Sequence, residues 1–324
     1  MSRDTAILQL MHAEGLGART LGRILTRLAA EQYPVEDFVF SPVSELMRIS
    51  NIKSEVAESI KSGRDKAEQL SEVLESHGIR IIVKETDEYP ARLAQASGDT
   101  GPPVLFAKGD LDILDRNAVA FCGSRRASEE GCQLVSQWSS ILAKERINIV
   151  AGYANGIDLA AHLGAMSAGG VTTIVLATGI LHFKLKGAIM DVAAEDNHLI
   201  VSQFLPRVGW SVHAAMQRNL TICGLAHAVI ITEPGLKGGS FEAGKTALKL
   251  GRPLFVAEYG DPDKSTEGNS YFLEKGAKAL RRDKEGKSDL NGVFQALEND
   301  QVTTPQTSFL KYLESAKGKN DVST

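Results

Sequence analysis

Residues 118–132 read AVAFCGSRRASEEGC, and this stretch decides the fold. An apolar run with the length of a buried strand ends at Gly123, and Ser124, Arg125 and Arg126 follow before a new helix begins. A strand that turns into a helix at a glycine is typical of α/β proteins, and the start of such a helix often receives an anion. Two arginines at this turn therefore raise the question of what that anion is: a nucleotide, a nucleic-acid backbone or none.

Apolar runs of the same kind recur from residue 79 onward, and helix-like stretches separate most of them. The strand-like runs are 79–83, 104–109, 118–123, 147–152, 172–179, 198–204, 226–234, 253–258 and 277–280. The helix-like stretches are 128–145, 156–169, 184–196, 214–224 and 239–250. Continuous apolar strands that alternate with helices predict a doubly wound, Rossmann-like α/β fold, with a mostly parallel sheet covered on both faces.

The first part of the chain has a different hydrophobic pattern, because residues 4 to about 75 show only helical periodicity. Gly15-Leu16-Gly17 joins the first two helices, which predicts a small helical domain of the helix-hairpin-helix or SAM-like kind. Its glycine turn either lays backbone N–H groups against a phosphate or simply closes a helical bundle. The predicted domains are thus a helical accessory domain (1–77), a Rossmann-like domain (78–290) and a loosely ordered tail (291–324) with one short helix at most.

Composition limits the partners of the chain. Of its 324 residues, 43% are hydrophobic and 23% charged, which excludes a disordered protein. The 36 basic and 40 acidic side chains leave a net charge of −4, so the protein is not coated in positive charge. Any interaction with nucleic acid must therefore depend on local sites.

Cysteine usage and hydropathy exclude further classes. The three cysteines, Cys122, Cys132 and Cys223, are too scattered for a disulfide framework, and no Cys/His cluster has the spacing of a metal site. The N-terminus carries acidic residues and no long apolar core, and no run approaches the roughly 18 apolar residues that span a bilayer. We expect a cytoplasmic protein with no metal and no membrane partner.

Glycine-bearing loops follow four of the predicted strands, at the edge where ligands bind in such sheets. Glycine lets the backbone approach a ligand closely and offers N–H groups at a helix start to a phosphate, although tight turns also need glycine for steric reasons alone. Arg218 lies in an apolar stretch, where it must meet either a carboxylate or a ligand phosphate. The candidate phosphate-binding residues are Gly123, Ser124, Arg125, Arg126, Gly152, Asn155, Gly156, Arg218, Asn219, Lys237, Gly238, Gly239, Ser240 and Lys245.

Catalytic signatures are weak. Neither GxxxxGK[ST] nor GxGxxG is present, which points away from ATPase and dinucleotide chemistry, and we expect no cofactor and no catalytic residue. Asp158 and His162, four residues apart on a predicted helix, form either a catalytic pair or a helix-stabilising aspartate and a packed histidine. Glu242 either polarises a ribose or pairs with Lys245 or Lys249 on a solvated helix face.

In their order along the chain, these motifs resemble the DNA processing protein A family (DprA, also called Smf). The stretches that carry the resemblance are AVAFCGSRRAS, AGYANGIDLAAHLGAM, LATGI, QRNLTICGLA, KGGSFEAGKTALKLGRPLFV and EGNSYFLEKGAKAL. Upstream, YPARLAQASGDTGPPVLFAKGDL is similar to the family's entry into its Rossmann-like domain. The likeness covers roughly residues 5 to 283, and we expect no counterpart of the family's C-terminal winged-helix module.

The resemblance implies a non-enzymatic protein that binds single-stranded DNA, dimerises and loads a RecA-type recombinase during natural transformation or recombination. Carried over by position, the DNA contacts would come from Ser124 and Arg125, from Arg218 and Asn219, and from the glycine loops. Guanidinium groups and backbone amides bind phosphates without reading bases, which suits such a partner.

The chain also departs from the family pattern. Ala151 replaces a serine, Gln203 a glutamate and Leu220 the second arginine of an RNR motif, while GILHFKLKG lacks the usual Tyr-Pro and asparagine. Glu242 is similar to the glutamate of related nucleotide phosphoribohydrolases. An enzyme or sensor for a free nucleotide is therefore the alternative, and a scaffold that only recruits proteins is a third reading.

Overall fold

Nine strands form a single sheet in the part of the chain that the structure describes, a computed structural model covering residues 1–258, 267–281 and 289–301. The order is β1-β2-β6-β5-β4-β3-β7-β8-β9; β2 is antiparallel to β1 and β6, and the other neighbours are parallel. This confirms the mostly parallel sheet. The strands are β1 (Arg80–Val83), β2 (Val104–Gly109), β3 (Ala118–Gly123), β4 (Asn148–Ala151), β5 (Thr172–Leu176), β6 (His198–Ser202), β7 (Ala228–Thr232), β8 (Leu254–Ala257) and β9 (Lys278–Leu280).

Helices fill the N-terminal part and the connections between strands. The N-terminal part is helical, as predicted, with α1 (Arg3–His12), α2 (Ala18–Ala30), α3 (Val35–Phe40), α4 (Val43–Ser50), α5 (Ser54–Ser62) and α6 (Arg64–Ser76). The later helices are α7 (Ala91–Ser97), α8 (Glu129–Lys144), α9 (Ile157–Ser167), α10 (Ile189–Val192), α11 (Val212–Leu225), α12 (Gly239–Lys249), α13 (Glu267–Glu274) and α14 (Asn291–Gln301).

The sheet is covered on both faces, which confirms the doubly wound architecture. Along β3, Phe121 packs with Trp138 of α8, while its neighbour Ala120 packs on the opposite face with Ile222 of α11. Successive side chains of a strand point to opposite faces, so an uninterrupted apolar strand needs helices on both sides. The central strand is therefore fully buried, and only its carboxyl end, at Gly123, reaches the surface.

The N-terminal helices share a hydrophobic core with one side of the sheet. Leu8 of α1 and Leu70 of α6 belong to the same buried cluster as Ile81 of β1, Phe106 of β2 and Ile174 of β5. This cluster lies on the face that α8 and α9 cover farther along the sheet. The N-terminal helices thus pack against the antiparallel edge of the sheet.

The helix predicted over 184–196 is wrong for most of its length. Only Ile189–Val192 is helical, as the single turn α10. The backbone N–H of Lys186 donates to the hydroxyl of Tyr153 at 2.7 Å, so it is not available to a helix, and Gly187 has a φ of +57°. Residues 183–188 therefore form a loop beside the carboxyl end of β5.

The predicted tail includes one element that is packed. Residues 291–301 form α14, the one short helix that the sequence allowed in this part of the chain, and Val293 and Leu297 are buried beside the β3–β7–β8 region. Residues 302–324 lie outside the described residues, and the three domain boundaries stay a prediction. Among the described residues, no helix has the length and apolar character needed to cross a bilayer.

Candidate functional site

A cavity of about 370 Å³, the first cavity, opens at the carboxyl ends of β3 and β7. Its walls come from the turn after β3, from α11 and from the glycine loop that precedes α12. Carboxyl ends of adjacent parallel strands meet at one edge, which explains why loops far apart in sequence converge here. The predicted residues that line it are Gly123, Ser124, Arg125, Arg218, Asn219, Lys237, Gly239 and Ser240.

The turn after β3 is held from two sides. The N–H of Ser124 donates to the carbonyl of Thr232 on β7 at 3.2 Å, and the Ser124 carbonyl accepts from the N–H of Ile157 at 3.3 Å. The Ser124 hydroxyl accepts from the N–H of Arg126 at 3.1 Å. These hydrogen bonds fix the backbone of the turn before any ligand binds. The turn therefore holds the exposed side chain of Arg125 at the mouth of the cavity, and its backbone loses little further freedom on binding.

Arg218 is the buried cation of the site. Arg218, on α11, is buried with 8% exposure, and its Nη1 lies 3.9 Å from Oδ2 of Asp158. Nε and Nη1 make no hydrogen bond to any described residue. Buried donors without partners carry a desolvation cost of roughly 1–3 kcal/mol each, which an incoming oxygen would relieve. The position of Arg218 therefore combines a carboxylate that balances its charge with donors that are still free for a ligand.

Asp158 has an unusual environment for a carboxylate. It lies in the first turn of α9 and accepts a hydrogen bond from the N–H of Ala154 at 3.2 Å. Burial raises the pKa of Asp158 above its ordinary value, and the guanidinium of Arg218 opposes that shift. An added oxyanion beside Arg218 would raise this pKa further, because it competes for the same positive charge.

The first turn of α12, which forms one wall of the cavity, is hydrogen-bonded to α11. Asn219 donates from Nδ2 to the carbonyl oxygen of Gly239 at 2.9 Å. Gly238, with a φ of +101°, precedes the first helical residue, so the chain reverses there and exposes the N–H groups of the first turn. The positive end of the α12 dipole lies at the same place. Ser240 adds a hydroxyl to this wall.

Three predicted glycines support the site from behind its walls. A Cβ on Gly152 would come within 1.6 Å of Arg218 Nη1, so only glycine leaves room for the guanidinium. Gly156, at a φ of +81°, lies against the carbonyl of Ser124, and Gly238 positions α12. Two of the three remaining predicted residues, Arg126 and Asn155, line an adjoining cavity.

Lys245, the remaining predicted site residue, lines neither cavity. Its ammonium lies 2.8 Å from Glu242 Oε1 and 5.6 Å from the centroid of the Phe241 ring. Glu242 does not line the cavities either. Both residues lie on the outer face of α12, where i,i+3 neighbours pair with each other. The pairing with Lys245 is the structural role that the sequence left open for Glu242.

His162 is buried and occupies a structural position. Its Nε2 lies 2.6 Å from the carbonyl of Gly152 and donates to it, while Nδ1 lies 2.6 Å from Thr172 Oγ1. Burial lowers the pKa of His162 to about 4, so the ring is neutral at pH 7. Within the described ranges, no group of His, Cys, Asp and Glu side chains is arranged to hold a metal ion.

Trp210 is a site residue that the sequence reasoning missed. It lies on the connection between β6 and α11, is 53% exposed, and lines both cavities. The Arg125 guanidinium carbon lies 5.6 Å from the centroid of its ring, within cation–π range. The available signal was the stretch VGWSV in a segment without helix or strand periodicity, where large apolar side chains have no core to enter.

The departures from the expected pattern have local explanations. Gln203 accepts a hydrogen bond at its amide oxygen from the Thr221 hydroxyl of α11, a contact a glutamate would also accept. Leu220 packs partly buried against the core below α11, and Ala151 is buried at the end of β4. None of these three side chains lines either cavity.

A family profile for DNA recombination-mediator protein A matches residues 80–291, about two thirds of the chain. The chain belongs to this family. The DNA processing protein DprA of Streptococcus pneumoniae is 34% identical over 196 residues, which cover 60% of this chain and 68% of that relative. Protein Smf of Escherichia coli is 29% identical over 206 residues, covering 63% of this chain and 54% of Smf. The match thus reaches little more than half of the Smf protein.

Two solved structures of DprA proteins share the fold. The X-ray structure of DprA from Streptococcus pneumoniae superposes with a TM-score of 0.71 at 26% identity, covering 86% of this chain and 94% of that one. A structure of DprA from Helicobacter pylori, described by its single-stranded DNA binding mode, has a TM-score of 0.56 at 25% identity and covers 68% and 97%. The chain is thus a divergent DprA family member.

Proposed function

We propose that this chain binds single-stranded DNA through the first cavity without catalysing a reaction on it. The observation that carries the proposal is the free donor set of Arg218, buried at a cavity that Arg125 and the start of α12 also line. Charge-assisted hydrogen bonds from guanidinium to phosphate are strong, and each relieves a donor that is otherwise unsatisfied. A polyanion is the ligand that this site fits best.

The chemistry of the walls favours a strand over a duplex. Guanidinium groups, helix-start N–H groups and the Ser240 hydroxyl recognise phosphate but carry no base-specific pattern. Trp210 offers an exposed aromatic face next to them. Unpaired bases stack on such faces, whereas the bases of a duplex are already stacked on each other. Cations combined with one aromatic platform are typical of sequence-indifferent single-strand binders.

The family supports the same ligand and adds partners. The single-stranded DNA binding described for the Helicobacter pylori protein concerns a structure with the same fold. We extend the proposal to protection of the strand, its delivery to a RecA-type recombinase in recombination or natural transformation, and a homodimer, all of which the resemblance to DprA implies. Recombinase filament assembly on the strand, with and without this protein, tests the delivery, and sedimentation tests the dimer.

The binding test uses the two tryptophans of the chain. Trp138 is fully buried and Trp210 is exposed, so a fluorescence change on adding oligo-dT reports on the site. We expect quenching that saturates at low salt and weakens steeply as salt is raised. Arg125→Ala should weaken binding at least about tenfold, while Lys108→Ala, at the opposite edge of the sheet, should not. No binding of the wild-type protein at low salt would overturn the proposal.

A further inference from the structure

A separate cavity of about 270 Å³ lies between the N-terminal helices and the connection from β6 to α11. We call it the seam cavity. The first cavity and the cavity that adjoins it form the groove beside Trp210, and neither shares a lining residue with the seam cavity. The lining of the seam cavity includes His12 of α1, Lys66 and Leu70 of α6, and Leu205, Arg207 and Val208 of the connection.

The charged groups of the seam cavity are cations. Lys66 and Arg207 line it and are both exposed, whereas no aspartate or glutamate of the described residues does. Within the described part of the chain, neither of the two side chains forms an ion pair. Two unpaired cations on opposite walls of one cavity are available to an external anion, and a guanidinium matches the geometry of phosphate and carboxylate oxygens.

The walls of the seam cavity are also apolar in part. Leu70 is buried, Leu205 is partly buried, and Val208 is 41% exposed. The volume lies just below the roughly 300–1,000 Å³ of typical small-molecule sites. The cavity therefore suits a small anion that also carries an organic part.

The backbone that carries Arg207 is fixed by hydrogen bonds. The N–H of Val208 donates to the carbonyl of Leu205 at 2.9 Å, and the carbonyl of Val208 accepts from the N–H of Gly179 at 2.7 Å. The carbonyl of Arg207 accepts from Nε2 of His182 at 3.0 Å. The turn is therefore ordered before a ligand binds, which lowers the entropy cost of binding.

His12 adds a ring nitrogen to the opposite wall. Its Nδ1 lies 2.8 Å from the carbonyl oxygen of Leu8 and donates to it, which fixes the ring. In a neutral ring with the proton on Nδ1, Nε2 is an acceptor. A hydroxyl group of a ligand, or the remaining proton of a phosphate, is a suitable donor to it.

The surroundings of the seam cavity disfavour a long polyanion. A neighbouring cavity shares His12 and Lys66 and contains the carboxylates of Glu14, Glu55 and Glu58. A DNA strand that continued along α1 and α5 would bring its phosphates next to these like charges. An anion confined to the side of Arg207 avoids them. The charge pattern therefore selects a compact ligand.

We propose that the seam cavity binds a small phosphate monoester, a nucleoside monophosphate or a sugar phosphate. The phosphate contacts Lys66 and Arg207, and the organic part lies against Leu205 and Val208. The bound ester thus joins α6 to the connection between β6 and α11. This site is independent of the groove beside Trp210 and goes beyond the proposed function.

The test follows the ring resonances of His12 by NMR, assigned by their loss in His12→Gln. Oligo-dT is added first to occupy the groove. Inorganic phosphate, thymidine monophosphate or ribose phosphate is then titrated at constant ionic strength. The test variant is Lys66→Ala/Arg207→Ala. The matched control is Arg23→Ala/Lys108→Ala, whose side chains are also exposed and line none of the cavities described above.

We expect a saturable shift of the His12 resonances in the wild type and the control. The affinity of the test variant should be at least about tenfold lower, because two charge-assisted contacts are lost. At least one ester should bind more tightly than inorganic phosphate, because it also contacts the apolar wall. The ester with the higher affinity shows whether the ligand is a nucleotide or a sugar phosphate.

Three results would overturn the proposal. No shift with any probe, or equal affinities of the test variant and the wild type, would remove the anion site. Esters that bind no more tightly than inorganic phosphate would remove the organic ligand. A shift of the His12 resonances on adding oligo-dT alone would show that the strand itself enters the seam cavity. Failure of oligo-dT to bind would instead overturn the proposed function, and the phosphate titrations would still test the seam cavity.

Discussion

Arg218 Nη1 lies 3.9 Å from Asp158 Oδ2, with 9% of each side chain exposed. The separation is too long for a hydrogen bond, so the carboxylate balances the charge of the guanidinium without using its donors. Asp158 instead accepts a hydrogen bond from the N–H of Ala154. The pair therefore keeps a cation in the interior at tolerable cost and leaves it free to bind an anion.

Separating charge balance from binding requires two variants of this pair. Arg218→Met should lower the free energy of unfolding by about 3 kcal/mol, because it leaves a buried carboxylate without its counter-charge. Arg218→Met/Asp158→Asn should recover most of that stability. Neither variant should recover the affinity for oligo-dT, which we expect to fall at least about tenfold. A double variant that binds oligo-dT like the wild type would show that Arg218 serves stability alone.

Trp210 should contribute through its ring face. Trp210→Ala is expected to weaken oligo-dT binding between about fivefold and 100-fold, the range for loss of one stacked base. Trp210→Phe should retain most of the affinity, since it keeps an aromatic face. Fluorescence anisotropy of labelled oligo-dT measures both variants, because the intrinsic signal is lost with the residue. Equal affinities for the alanine and wild-type proteins would remove the stacking role.

Gly152 and Gly239 differ in the space that each leaves for a side chain. A Cβ at Gly152 would lie 1.6 Å from Arg218 Nη1 and 2.4 Å from Asp158 Oδ2, whereas one at Gly239 meets nothing within 4 Å. Gly152→Ala should therefore displace the guanidinium and reduce oligo-dT affinity at least about tenfold. Gly239→Ala should reduce it less than Gly152→Ala does, because its Cβ displaces no protein atom. The reverse order of the two effects would contradict the placement of Arg218.

The lowered pKa of the buried His162 ring predicts that the stability of the protein depends on pH. Its pKa is about 4 in the folded chain, against an ordinary value of 6.5, so the unfolded state binds the proton first as pH falls. The contribution is fully present above pH 6.5 and is lost progressively towards pH 4, by about 3 kcal/mol in total. The raised pKa of Asp158 acts in the opposite direction, because the folded state takes up that proton first.

The difference between the wild type and His162→Gln isolates the histidine. Denaturant titrations at pH 7 and pH 5 should show a larger loss of stability on acidification for the wild type than for the variant. In the wild type, the ring resonances of His162 should not titrate between pH 7 and pH 5. A ring that titrates near pH 6.5 would contradict its burial as a neutral group.

Glu242 tests the nucleotide-cleaving alternative. Because Glu242 pairs with Lys245 on a half-exposed helix face, Glu242→Gln should change the free energy of unfolding by less than about 1 kcal/mol. Its oligo-dT affinity should stay within about twofold of the wild type. Neither protein should release base from nucleoside monophosphates, measured by chromatography. Base release by the wild type that Glu242→Gln abolishes would establish an enzyme instead.

The strands could be predicted because the apolar residues that place each strand in the core lie next to each other in the sequence. Runs such as 118–123 are apolar at every position, which is the pattern of a strand buried on both faces, and the glycine that ends this run limits it to the length of a strand. The same rule places the ends of the strands at one edge, which is why Arg125, Arg218 and Gly239 could be predicted to converge. The three residues do line one cavity.

The misses arise where a tertiary contact decides the local structure. Residues 184–196 have helical composition, but the hydrogen bond from the N–H of Lys186 to Tyr153 diverts the backbone. Trp210 lies in a segment without periodicity, and its role depends on the neighbouring Arg125, which is distant in sequence. Lys245 was placed correctly on α12, but which side of the helix faces the cavity depends on how α12 packs.

The core shared by Leu8, Leu70 and Phe106 has a mechanical consequence. Because the N-terminal helices and the sheet edge exclude water together, swinging one away from the other would expose apolar surface on both. The glycine turn at residues 15–17 and the groove beside Trp210 therefore belong to one packed body, in which the helical part cannot pivot on the sheet without losing that burial.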